Sequence, residues 1–176
     1  FDMKSYAYEF KKSIHKRSGP FFQCCMFSKK ILENIDELFD SKSVPSEDWD
    51  FFLNLSHRNP YVGYSSHIGF TWNYSQYSQS YNKKIEAKSL EYIVKKHKSS
   101  ILLICGNIIL SDHYRRIARL YESIGDMIIM NIFYKKAFKS APWLWKNILY
   151  ILLLSLGSKL GVKFILSFRK LRDYFV

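Results

Sequence analysis

From Lys83 onward the apolar residues recur at helical spacing, which predicts a run of helices. Ile85, Leu90, Ile93 and Val94 mark one helix. Residues 102–110 are apolar around Gly106 and lead into Tyr114, Ile117, Ala118 and Tyr121. Gly125-Asp126 breaks the chain, and a further helix runs to Lys139. Pro142 suits a helix start and Gly157 a stop, with Trp143, Leu144, Ile148, Leu149 and Ile151 to Leu154 apolar almost all round. Such a helix, about 15 residues, spans only about 23 Å, too short to cross a membrane.

The first half reads differently. Tyr6, Tyr8 and Phe10 alternate, which predicts an exposed strand or hairpin arm. The following Lys11, Lys12, Lys16 and Arg17 fit a solvated face better than a phosphate contact. Ser18-Gly19-Pro20 is a turn. Residues 21–27 form a continuous apolar run that predicts a buried strand. Ser28 is placed to cap a helix over 29–39, and residues 40–43 read as loop. Pro45 and Ser46 then open a helix with Glu47 and Asp48 in its first turn and Trp49, Phe52 and Leu53 on one apolar face. Residues 61–64 and 68–73 look like two short strands, and the Ser-, Tyr- and Gln-rich stretch 74–82 like a surface loop.

At 48% hydrophobic and 18% aromatic residues, the chain has ample material for a core, which excludes a disordered segment. The net charge of +12 favours anionic partners. Cys24, Cys25 and Cys105 have no metal-ligand spacing and read as reduced apolar fillers of a cytoplasmic protein.

The order of elements in the first half resembles the acceptor-side half of family-two, GT-A-type bacterial glycosyltransferases. The residues that carry the likeness are 21–27, Ser28-Lys29-Lys30-Ile31-Leu32, Phe39-Asp40, the acidic pair Glu47-Asp48, residues 51–55, Gly63-Tyr64 and Phe70-Thr71-Trp72-Asn73. The resemblance implies an α/β fold: residues 1–83 as the acceptor-side half of a GT-A-like domain, residues 84–176 as an all-helical C-terminal region. It implies inverting sugar transfer from a nucleotide-diphosphate donor to a glycan or lipid-linked hydroxyl. Asp48 would be the general base. Glu47, Trp72, Asn73 and Gln23 would bind substrate, though Trp72 fits a core role equally well. The family commonly has a histidine where Asn73 stands. A divalent metal, Mg or Mn, would act in the full-length enzyme, its ligands and the donor-binding half lying upstream of Phe1. Asp48-Trp49-Asp50 matches the metal motif only in letters, because helical residues two apart point about 200° apart.

A second reading comes from Ala118, Tyr121, Gly125, Tyr134, Ala137 and Pro142, which resemble one tetratricopeptide-like helix pair. It implies a non-catalytic helical interaction module. Nucleic acid is not an expected partner, since no basic-aromatic recognition motif is present. At the C-terminus, Leu160, Phe164, Phe168, Leu171 and Phe175 form a stripe flanked by Lys159, Lys163, Arg169, Lys170 and Arg172. That pattern fits a helix in an anionic membrane interface, on the cytoplasmic face, or a helix packed on protein.

Overall fold

A computed structural model of the protein describes residues 3–17, 19–20, 22–33, 38–63, 71, 82–155 and 167. Among them every regular element is helical: α1 (Met3–Lys16), α2 (Lys29–Leu32), α3 (Glu47–Ser56), α4 (Lys83–Lys96), α5 (Lys98–Ser123), α6 (Met127–Ser140) and α7 (Trp145–Ser155), with 3-10 turns at Phe22–Cys24 and Ser41–Ser43. The chain divides into two compact units, Phe1–Gly106 and Asn107–Val176.

This overturns the α/β expectation and, with it, the likeness to a GT-A domain. The alternating Tyr6, Tyr8 and Phe10 lie on α1, a helix. Phe10 and Ile14, four residues apart, satisfy helical spacing too, and that is the period the fold uses. Ile14 is fully buried, and Phe10 meets Phe52 of α3 edge-on at 6.4 Å. Gly19 lets the chain turn close to this contact: an added methyl would sit 2.8 Å from Ile14 Cδ1 and 2.9 Å from Phe52 Cδ2.

The run expected as a buried strand is a 3-10 turn followed by irregular chain. Met26 is wholly exposed, and Cys24, expected as an apolar filler, is exposed too. Phe22 and Phe27 turn inward. They stack on each other at 5.1 Å and each meets Phe51 at 5.3 Å. An apolar run does not reveal whether a ladder partner exists, and here aromatic packing takes its place. Tyr61–Gly63 is not a strand either; the remaining residues of the two expected strands, except Thr71, lie outside the described residues, as does most of the 74–82 loop.

The helices of the second half form where their spacing predicts. Asn82 accepts backbone N–H bonds from Lys84 and Ile85 at the start of α4, and Lys95 and Lys96 complement its C-terminus. Leu90, Ile93 and Val94 are buried as expected; Ile85, on the same list of candidates, is exposed. Gly106 breaks α5 with φ 75°, and Gly125 ends it with φ 79°, both in the left-handed region that glycine enters without cost. Asp126 then caps α6 by accepting from Ile129 N at 3.0 Å. α7 starts at Trp145, three residues after Pro142. No helix among the described residues is long and apolar enough to cross a membrane.

Candidate functional site

In the first unit, the polar centre is Asp50, which the sequence offered only as the odd acid of Asp48-Trp49-Asp50. Asp50 faces inward from α3 and is buried. His97, the residue ending α4, donates Nε2–H to its Oδ1 at 2.6 Å, and Lys96 donates to its Oδ2 at 2.7 Å. Burial works against the Asp50 carboxylate, yet these two bonds and charges hold its pKa below the ordinary carboxylate range. Lys96 also reaches Asp40 at 3.0 Å, where Tyr92 donates its hydroxyl at 2.7 Å. The Tyr92 bond first, then the Lys42 backbone N–H and Lys96, bring Asp40 down to about 2. Residues 40–43, expected as loop, are thus a turn tied to both α3 and α4.

Three imidazoles line up beside this network. His97 stacks on His57 with centroids 6.3 Å apart, and His57 meets His15 edge-on at 5.8 Å. His15, on α1, donates Nδ1–H to the Lys11 carbonyl at 2.7 Å. Burial is the main cause that pushes its pKa down to about 4, outweighing that bond, with His57, His97 and Lys11 adding positive potential. Burial likewise lowers His57. The unfolded chain therefore takes up a proton near pH 6.5 that the folded chain refuses until about 4. Stability is expected to fall as pH drops through that window, and a His15→Gln variant should show a shallower fall. Urea midpoints measured across the window test this; equal slopes in the two proteins would remove His15 as the cause.

An Asp-oriented histidine is half of a nucleophilic constellation. Among the described residues no Ser, Thr or Cys side chain bonds to the His97 ring; its other close neighbour is His57. The network ties three helices and a turn together, which is a structural role.

Of the residues expected to act on a sugar acceptor, Glu47, Asp48 and Gln23 are among the described residues. Asp48 turns back to accept Trp49 N–H at 2.7 Å. Burial raises its pKa despite that bond. Glu47, beside it, has one buried carboxylate oxygen without a hydrogen-bond partner. Gln23 is exposed on the 3-10 turn. Trp72 and Asn73 lie outside the described residues. Asp48 and Asp50 diverge on α3, and no group of three potential metal ligands occurs among the described residues.

In the second unit, five of the six residues at tetratricopeptide-like spacing lie on the α5–α6 pair and its turn, and Pro142 follows it, exposed. Ala118 and Ala137 are buried. Tyr121 stacks on Phe133 at 5.9 Å, and Tyr134 donates to Glu122 at 3.3 Å. Gly125 and Asp126 make the turn between the helices, with Asp126 N–H bonded to the Tyr121 carbonyl at 2.9 Å. Met130, Phe133 and Asn147 complete the arrangement and were not singled out from sequence. Met130 and Phe133 could have been found by carrying the helical period from Tyr134 and Ala137. Asn147 gave no sequence pattern. It is buried on α7, its amide directed at the carbonyls of Ala141 (2.7 Å) and Ala137 (3.1 Å) and at Ser111 Oγ (2.9 Å). Arg115 donates to its Oδ1 at 2.6 Å and also pairs with Asp112. One side chain thereby closes the last turn of α6 and docks α7 on it, while Tyr150 stacks on Tyr134 at 4.4 Å.

Comparison with protein-family models, with curated proteins and with solved structures finds no significant match to this chain.

Proposed function

We propose that this protein is a non-catalytic helical interaction module, peripheral on the cytoplasmic face of a membrane, with α6 and its neighbours in the second unit as the working part. The supporting observation is the three-helix stack: the α5–α6 pair has its small residues and its glycine turn at repeat spacing, and α7 is added to it through Asn147 and Tyr150. The transferase expectation rested on the GT-A likeness and loses that support with the helical fold. The outer face of α6 offers a surface for a protein partner. Ile128 and Ile132 are exposed one turn apart, and Lys135 and Lys139 continue the same face. An apolar patch running into cations suits a partner segment that is apolar and acidic.

The test is site-specific photo-crosslinking in cells, with the reactive residue at position 132 of the full chain. A discrete protein adduct is expected there. It should fall at least tenfold with Ile128→Glu and be absent with the probe at exposed Lys84 on α4. No adduct at 132, or the same adducts from 84, would overturn the α6 surface.

A further inference from the structure

The second unit has another exposed surface, on α7. Its inner side is fixed by Asn147 and Tyr150. The opposite side carries Trp145, Ile148 and Leu152 at i, i+3 and i+7, exposed by 63%, 41% and 58%. Trp143, just before the helix, is 62% exposed. Four large apolar side chains on one helix and its approach are more than scattered surface residues. The described part of α7, 11 residues, is about 16 Å long, and no helix among the described residues is long and apolar enough to cross a membrane.

The charge of the chain says what could cover it. Between residues 127 and 172 there is no Asp or Glu, while Lys135, Lys136, Lys139, Lys146, Lys159, Lys163, Arg169, Lys170 and Arg172 supply nine positive charges. The whole chain nets +12, from 27 cations and 15 anions, so most of the excess is concentrated in this acid-free stretch. A second copy of the chain would bring the same positive charge to the contact and be repelled. An anionic lipid surface would be attracted, and tryptophan rings settle at the headgroup level where one edge is apolar and the N–H stays wet.

We propose that the Trp143, Trp145, Ile148 and Leu152 face of α7 is a docking surface for anionic lipid headgroups and the acyl boundary beneath them. This rests on the peripheral placement proposed above and names its site and lipid class. It does not depend on the α6 partner surface.

The experiment is flotation of the full chain with phosphatidylcholine vesicles, with and without about one-third phosphatidylserine. Wild type should float with the anionic vesicles, at least tenfold more than with the neutral ones, and high salt should release it. Ile148→Glu with Leu152→Glu, at exposed positions, should cut flotation at least tenfold while leaving the circular dichroism unchanged. Trp143→Ala with Trp145→Ala should abolish the quenching of tryptophan by brominated lipid that wild type shows. Ile128→Glu should float as wild type, which separates this surface from the one on α6. Flotation unaffected by the Ile148/Leu152 changes would overturn the site. Equal flotation with neutral vesicles would overturn the anionic preference. Light scattering that shows a dimer dissociated by the same changes would make a second copy the occupant.

Discussion

Trp49→Ala is expected to destabilise the first unit by about 3–5 kcal/mol, the range for emptying a large aromatic site in a core. Trp49 is among the largest fully buried side chains of the unit. Its indole Nε1–H also donates to the Ile14 carbonyl at 2.9 Å, which ties α3 to α1. The variant thus loses apolar burial, leaves a cavity between the two helices and removes a buried hydrogen bond. Trp49→Phe retains most of the burial and gives up the N–H, so its loss should be clearly smaller. Urea denaturation followed by circular dichroism measures both, and hydrogen exchange in α1 should rise first. A loss under about 1 kcal/mol for Trp49→Ala would mean that α1 and α3 do not pack as described.

Asp50→Ala should cost a comparable amount, about 3–5 kcal/mol, because breaking a buried ion pair from one side strands the other partner. His97 would lose its carboxylate acceptor, and Lys96 would keep only Asp40. Asp50→Asn preserves volume and one acceptor oxygen and should cost less. The pH dependence has a definite sign. Folding lowers the Asp50 pKa, so its contribution is present above the ordinary carboxylate pKa of about 3.9 and is lost as pH falls toward the lowered folded value. Wild type and Asp50→Asn should therefore converge in stability at the acid end. A difference that stays constant across that range would assign the loss to packing and not to the charge.

The helices from Lys83 on could be read in advance because their determinants are local. Asn82 caps α4 from two residues away, and Gly125 with Asp126 ends one helix and starts the next within a single turn. Period 3.6 is also hard to imitate over such lengths. The first half misled for the opposite reason. Three alternating aromatics, Tyr6, Tyr8 and Phe10, fit a strand and a helix equally well over so few residues. The run 21–27 is apolar enough for a strand, but a strand exists only with a neighbour to complete its ladder. In the fold the Asp48 carboxylate turns onto its own helix, where it accepts the Trp49 N–H.

By itself, the sequence determined the described helices between residues 83 and 155, the break at Gly125, the repeat-like spacing around it, and the concentration of positive charge toward the C-terminus. These depend on residues within a turn or two of each other, or on composition alone. Only the tertiary structure decided that α1 is a helix, that Phe22 and Phe27 pack with Phe51 as an aromatic cluster, that Asp50 is the hub of a buried network, and that Asn147 holds α7 to α6. Each of those depends on a partner far away in sequence: His97 stands 47 residues from Asp50, and Ser111 stands 36 residues from Asn147. A hydrogen bond or an aromatic contact of that kind has no local periodicity, so it becomes visible only when the chain has closed on itself.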